Sequence, residues 1–230
     1  ASDEERTYLQ NIVIVGAGPT GVELAGSFAE IKKNILPRDY AKVDFHNVRI
    51  YLLEGGEHPL GGMSMLARKS SLRYLSGMGV IVKTGVRVGN YDGATVSLSN
   101  GEQIRSRQVI WTAGVTGNCI AGLDSSAMAP GNRIRVDRFN RVEGYDNLYA
   151  LGDIAYMETP RYPKGHPQVA NVAINQARNL ASNLSRMQRG TRCREYEYRN
   201  LGSMATIGRN KAVVDFPLFS FKGYLAWLIW

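Results

Sequence analysis

Cysteine is almost missing from this sequence. Cys119 and Cys193 are the only two among 230 residues. They stand far apart in sequence and neither belongs to a CxxC or CxxxxC arrangement, so neither a disulfide framework nor a zinc centre is indicated, no metal site is expected, and both read as inert thiols. Long apolar runs are also lacking, since none approaches the ~20 residues needed to cross a bilayer. Residues 1–10 are polar and acidic where a signal peptide would be basic and then apolar, so the chain reads as cytosol-facing. No block of Lys and Arg dominates. The densest basic stretch, Arg186, Arg189, Arg192, Arg194 and Arg199, is interrupted by Glu195 and Glu197 and lacks the motif context of a nucleic-acid reader, so nucleic acid is not an expected partner. There is no internal repeat and no low-complexity tract.

What remains is ordinary globular material with a basic balance. Hydrophobic residues make up 44% and charged residues 21%, and the formal net charge is +8. That balance calls for an anionic partner such as a membrane surface or a phosphate-bearing cofactor. The 25 glycines imply many tight turns or close backbone approaches.

One segment is far more specific than the rest. Residues 12–15 form a β-branched run that enters Gly16-Ala-Gly-Pro-Thr-Gly21, and the helical spacing Val22, Ala25, Phe28, Ala29 follows. A GxGxxG between a strand and a helix is a diphosphate cradle. Gly16 permits the turn, Gly18 leaves no side chain between backbone and pyrophosphate, and Gly21 lets helix and strand pack closely, with Pro19 and Thr20 completing the loop. The helix is expected to run to about Ile35 and stop at Pro37. A second strand, residues 48–53, ends on Glu54, placed to accept hydrogen bonds from the adenosine ribose hydroxyls and to repel a 2′-phosphate, which favours NADH over NADPH; a solvated strand-end glutamate is the alternative. Glu23, in the first turn of the helix, would at the least complement its positive end.

Downstream, a helix from Met65 and a strand at residues 80–82 continue the nucleotide fold. Alternating segments around 86–91, 95–98 and 103–106, with the turn signal Asn100-Gly101, read as an antiparallel meander. A strand at 109–112 and the turn Ala113-Gly114 close it. From about Gly117 the character changes: strands at 134–136 and 148–151 precede the turn Gly152-Asp153, where an aspartate can also serve simply as a turn or cap residue. A helix follows with Ala170, Ala173, Ile174, Ala177, Leu180, Ala181 and Leu184 on one apolar face. The last stretch, residues 216–230, is aromatic and apolar with Lys211 and Lys222 nearby. It fits an interfacial helix or a core or dimer contact.

The ordered set Gly16-Ala-Gly-Pro-Thr-Gly-Val-Glu-Leu-Ala-Gly26, Leu53-Glu54, Trp111-Thr-Ala-Gly114, Leu148-Tyr-Ala-Leu-Gly-Asp153, Pro167-Gln-Val-Ala170 and Ala170-Asn-Val-Ala-Ile-Asn-Gln176 resembles the type II NADH:quinone oxidoreductases over nearly the whole chain. The missing cysteine pair sets aside the disulfide-reducing branch of the same superfamily. The resemblance implies an α/β fold: a Rossmann-like NADH-binding domain with a β-meander over residues 10–116, the later part of an FAD-binding domain over 117–195, and a quinone-side, membrane-associating strand and helix tail over 196–230. It further implies that Glu23 approaches the nicotinamide as a catalytic orienting or relay residue, and that Gly114, Gly152, Asp153, Val169 and Ala170 join the glycine loop and Glu54 as cofactor contacts, with Asp153 on the FAD ribitol. Asn171, Asn175 and Gln176 would line the quinone region, with Gln176 catalytic. Asn171 and Asn175 depart from the family's Gln and shorten its reach by one methylene, and an ordinary amphipathic helix is the alternative for this segment.

The activity implied is hydride transfer from NADH to FAD and then electron transfer to a membrane quinone without proton pumping. The expected setting is peripheral, on the cytoplasmic face of a bacterial inner membrane, and the partners admit a homodimer. A two-dinucleotide flavoprotein with a soluble acceptor and a non-catalytic NADH sensor are the competing readings. A second GxGxxG is absent, so the expectation is a piece cut at both ends that binds NADH, does not retain FAD and is not by itself a competent quinone reductase.

Overall fold

A computed structural model describes residues 3–118 and 120–229; Cys119, read above as an inert thiol, and Trp230 lie outside the described residues. After helix α1 (Asp3–Gln10), the buried run becomes strand β1 (Asn11–Val15), followed by α2 (Pro19–Glu30), α3 (Leu36–Asp39), β2 (Arg49–Leu53), α4 (Met65–Gly77) and β3 (Val80–Lys83). The meander follows as β4 (Val88–Tyr91), β5 (Thr95–Leu98) and β6 (Gln103–Arg105), and then β7 (Gln108–Trp111). The main sheet has the order β3-β2-β1-β7, and its neighbours all pair in parallel. Val15 stands opposite Leu53 and Trp111, so the strands end together at one edge.

Because side chains alternate across a strand, one run feeds two cores. Ile14, Ile50 and Leu52 turn to the face covered by α2 and α4. Val13, Val15, Tyr51 and Leu53 turn to the other face, where Val96, Leu98 and Ile104 of the meander cover them. This is why β1 and β2 read as continuous apolar runs.

The helix after the glycine loop does not stop at Pro37 as expected. Its α-helical part ends at Glu30, passes through a π-helical turn, Ile31–Ile35, and resumes as α3 with Pro37 in its first turn. A proline there forfeits no intrahelical bond, so the wider turn places the break before the residue that needs it.

The polypeptide forms two compact units, one of residues 1–113 with 201–230 and the other of residues 114–200. In the second, β8 (Met128–Ala129), β9 (Arg133–Val136) and β10 (Ala155–Met157) make a small sheet, and α5 (Ala170–Gln188) follows. The expected strand at 148–151 is reduced to a bridge between Arg141 and Tyr149. Helix α5 buries Val172, Gln176, Leu180 and Asn183, of which only Leu180 belongs to the apolar face read in the sequence; Ile174 is 47% and Leu184 44% exposed.

The chain then returns to the first unit as β11 (Ser203–Gly208), β12 (Lys211–Asp215), β13 (Ser220–Gly223) and α6 (Tyr224–Ile229). The three strands form an antiparallel sheet whose Ala205, Ile207 and Val213 complete the core under α2 and α4. Approach is possible because α2 offers Gly26, where a Cβ would lie 1.7 Å from the Ile207 carbonyl oxygen. A second tie holds the far end: Asp215 accepts hydrogen bonds from the Ser64 amide at 2.5 Å and the Ser64 hydroxyl at 2.7 Å, while that hydroxyl caps α4 by accepting from the Ala67 amide.

Partial burial pushes the Asp215 carboxyl up, but the Ser64 and Ser220 hydrogen bonds and the Arg68 charge outweigh it and hold it below its ordinary value. A folded-state pKa below the unfolded one contributes stability that is complete above the ordinary aspartate value of about 3.9 and is lost as pH falls through the folded value. Urea unfolding at pH 7 should show Asp215→Asn less stable than the parent by about 1.5–3 kcal/mol, the range for a hydrogen bond to a charged group. Repeating the titration toward pH 3 should shrink that gap; a constant gap would show that the carboxylate charge is not what holds the sheet.

Candidate functional site

The loop between β1 and α2 is braced from three sides. Gly16 donates its amide to the Leu53 carbonyl at 2.8 Å, and the Ala17 carbonyl accepts from the Leu60 amide at 2.8 Å. The Thr112 hydroxyl lies 2.9 Å from both the Val15 and Gly16 carbonyls. Gly16 has φ +99°, a conformation that favours glycine, and a Cβ there would sit 2.8 Å from the backbone of Ala113. At Gly21 a Cβ would fall 1.9 Å from the Gly16 carbonyl oxygen. These two glycines are therefore required by the fold itself.

Gly18 is different. A Cβ there would meet nothing within 4 Å, and its φ of −69° and ψ of −177° suit any residue. The protein supplies no packing reason for a glycine at this point. Gly18 also caps α2 without a side-chain hydrogen bond, with Pro19 in the first turn and Pro19 and Thr20 exposed. The amides of that turn, at the positive end of the helix dipole, face outward where an anion is favoured.

Glu54 lies against the same loop. Its carboxylate accepts from the Ala17 amide at 2.8 Å and the Gly56 amide at 2.7 Å. A carboxylate has about four acceptor positions, so each oxygen keeps capacity for a sugar hydroxyl. Glu23 lies beyond the first turn of α2, not within it as the sequence suggested, because the helix starts at Pro19, and it makes a different contact. One of its oxygens accepts from the Thr206 amide of β11 at 3.2 Å, and the residue lines a cavity of about 340 Å³ with Ser27, Glu30, Thr206, Arg209 and Trp227.

In the second unit the expected residues divide. Gly114 opens it with φ +89° and open space around its α-carbon. Gly152, at φ +73°, begins a short turn in which a Cβ would press on that of Ala173 at 3.2 Å. Its amide donates to the Gln176 side-chain oxygen at 2.7 Å. Gln176 is fully buried, at 0% exposure, and its amide nitrogen has no partner among the described residues. It holds a turn rather than facing an open surface. Asp153 presents an exposed side chain, while its carbonyl accepts from Arg133 Nε and Gln168 Nε2, both at 3.1 Å. Val169 caps α5 without a side-chain bond, Ala170 and Asn171 are exposed, and the Asn175 amide donates to the Asn171 carbonyl at 2.8 Å.

The structure thus brings Gly16, Gly18, Gly21 and Glu54 into one cradle and Gly152, Asp153 and Gln176 into one turn. Sequence reasoning passed over Thr112 and Arg133. A hydroxyl just after the last strand of the sheet, within Trp111-Thr-Ala-Gly114, is a readable signal for the first. Nothing in the sequence marks the second.

Comparison with known proteins agrees with this geometry. Residues 1–177 match the family model for pyridine nucleotide-disulphide oxidoreductases. The chain is 34% identical over 242 residues to the type II NADH:quinone oxidoreductase Ndh of Mycobacterium tuberculosis, covering 99% of this chain and 50% of that protein. It is 29% identical over 246 residues to the internal alternative NAD(P)H-ubiquinone oxidoreductase A1 of Arabidopsis thaliana mitochondria, covering 99% of this chain and 48% of the relative. The chain therefore spans about half the length of the curated relatives it matches. Its fold is similar to solved NDH2 from Plasmodium falciparum in complex with NADH, with a TM-score of 0.88 at 18% identity, over 100% of this chain and 63% of that one.

The two kinds of glycine separate in a stability measurement. Gly21→Ala should lower unfolding stability by about 3 kcal/mol or more through overpacking, whereas Gly18→Ala should stay within roughly 0.5 kcal/mol of the parent, as exposed substitutions do. Equal losses in thermal melts would mean that Gly18, too, serves packing.

Proposed function

The chain belongs to the pyridine nucleotide-disulphide oxidoreductase family, and from that premise we propose that it is the nucleotide-binding part of a type II NADH:quinone oxidoreductase. The observation that carries this is Gly18, the one glycine of the loop whose missing side chain the protein does not use. Space above it, beside outward-facing helix amides, suits a pyrophosphate. Glu54 then takes the adenosine ribose hydroxyls and disfavours a 2′-phosphate. Glu23 keeps one carboxylate oxygen beyond its Thr206 bond, and we assign it to orienting or proton relay at the nicotinamide end.

The residues of the second unit suit the sugar-alcohol and ring end of FAD. Asp153 stands exposed on a fixed turn, and the uncapped start of α5 at Val169 and Ala170 offers the positive end of a 19-residue helix to a ring that gains negative charge on reduction. FAD would supply acceptance of a hydride and its passage as electrons to a quinone; the protein's part is to hold, orient and tune. Gln176 acts through Gly152 in this reading, since a fully buried side chain cannot touch a quinone, and Asn171 and Asn175 remain the polar groups nearest the exposed face. The uncovered apolar stripe of α5, with Ile174 and Leu184, supports assigning the second unit to a larger flavin-binding domain.

The quinone implies a membrane, and the exposed tail supports peripheral contact with its surface; the cytoplasmic face is the side assigned to it. Leu218 is 94% and Leu225 67% exposed, Phe219, Tyr224 and Leu228 join them, and Lys222 is exposed between. No helix among the described residues is long and apolar enough to cross a bilayer. Aromatic and aliphatic side chains with nearby lysine suit the headgroup boundary.

Calorimetric titration tests the first assignment: NADH should bind saturably and more tightly than NADPH, and Gly18→Val should abolish binding while leaving the melting temperature in place. Binding that survives in a folded Gly18→Val protein would remove the pyrophosphate from this loop. Flotation with anionic liposomes tests the second. Replacing Leu218 and Leu225 together by Glu should reduce the bound fraction at least about tenfold, given roughly 1.5–3 kcal/mol for each buried leucine side chain; unchanged flotation would assign the patch to another contact.

A further inference from the structure

Arg133 is a buried cation held by backbone rather than by direct contact with a carboxylate. It is 8% exposed, and among the described residues its guanidinium meets no carboxylate. Its bonds run instead to three backbone carbonyls: Nε donates to Asp153 at 3.1 Å, and Nη2 donates to Ala155 at 2.5 Å and to His166 at 3.1 Å. The guanidinium also lies over the Tyr156 ring, 5.1 Å from its centroid. Burying an unpaired cation is expensive, and three carbonyl dipoles with one aromatic face compensate only if they are held in a fixed array. Burial accordingly lowers the Arg133 pKa from its usual value, against opposing attraction from Tyr156 and Asp153.

Of those three carbonyls, Asp153's lies within the turn that carries its side chain and Ala155's closes it. On its other side, the Gly152 amide is held by Gln176 at 2.7 Å. The turn is thus pinned through its amide at the start and its carbonyls in the middle and at the end, and every one of these ties leaves the Asp153 carboxylate aside. A planar fork reaches several carbonyls at once, which an ammonium group cannot reproduce.

We propose that Arg133 is a positioning residue for the flavin site: its buried guanidinium locks the carbonyls of Asp153 and Ala155 so that the Asp153 carboxylate faces outward toward the cofactor's sugar-alcohol chain. This rests on the reading of the second unit as flavin-binding. It adds that the fork, rather than Asp153 alone, sets the affinity. The buried positive charge behind the turn also favours added negative charge in front of it.

The test compares the parent with Arg133→Met and Arg133→Lys. Hydrogen exchange of this chain reads the turn directly, and FAD retention and NADH affinity are measured in the intact flavoprotein. Expected are exchange of amides 152–155 at least about tenfold faster in Arg133→Met, and an FAD dissociation constant raised by about tenfold, equal to roughly 1.4 kcal/mol. Arg133→Lys should fall between, and the NADH dissociation constant should move less than about twofold, because the glycine cradle is in the other unit. If Arg133→Met does not fold, Arg133→Lys carries the comparison. Unchanged exchange in a folded variant overturns the proposal, and so does faster exchange with unchanged FAD affinity, which would leave Arg133 a purely structural brace. An intact, full-length parent that binds NADH but no FAD would sink the flavin reading of the second unit and the proposal with it.

Discussion

How closely helix α2 can approach backbone on two sides governs the first unit. At one end Gly21 lets it sit on the Gly16 carbonyl, where a Cβ would come within 1.9 Å; further along, Gly26 lets β11 cross it, where a Cβ would come within 1.7 Å of the Ile207 carbonyl. Neither contact can be relieved by rotating a side chain, since both obstacles are backbone. Moving the helix outward would open the core shared by Val22, Ala25 and Ala29 with Ile14, Leu52 and Ile207. Loss of a buried large aliphatic side chain costs about 2–5 kcal/mol, so even a partial opening outweighs anything gained by accommodating a methyl group.

That constraint also places the chemistry. A helix seated so low on its strand brings its first-turn amides to the edge where β1, β2 and β7 end together, and Glu54 reaches the loop from the end of β2. The same helix carries Glu23 and Glu30 on the side facing β11, where Glu23 accepts from the Thr206 amide and Glu30 from the Arg209 amide. One amide of the edge strand and one of the turn after it are thus satisfied by α2 carboxylates. One helix therefore serves a nucleotide cradle at its start and the attachment of residues 201–230 along its length.

Much of this was legible in the sequence because its causes are local. Gly16 and Gly21 belong to one short loop, and the strand, turn and helix around them are contiguous. Gly26 was not legible as a crossing point, since its partner Ile207 is remote in sequence and a glycine inside a helix has many readings. Pro37 was read as a stop, yet the π-helical turn before it absorbed the break. Nor did the return of β11 to the first unit have a local cause: a run such as residues 203–208 shows that a strand forms but not which core it completes. Arg133 left no trace at all, because a buried arginine bonded to carbonyls looks in sequence like any surface arginine on a strand.

Helix α5 shows most clearly why apolar periodicity and burial can part company. The stripe Ala170, Ala173, Ile174, Ala177, Leu180, Ala181 and Leu184 reads as a core face, but of these the structure buries only Leu180, together with Val172, Gln176 and Asn183 from outside the stripe. What decides the rotation is polar bonding: Gln176 takes the Gly152 amide, and Asn183 accepts from the Arg194 amide and donates to its carbonyl, each at 2.8 Å. Turning the helix to bury the alanine stripe would strand both side chains' backbone partners, at about 1–3 kcal/mol for each unsatisfied buried group. Alanine gives little in return, since its single methyl buries little area. Polar satisfaction outweighs burial of Ile174 and Leu184 here, and the Gln176 bond also holds the turn on which Asp153 stands.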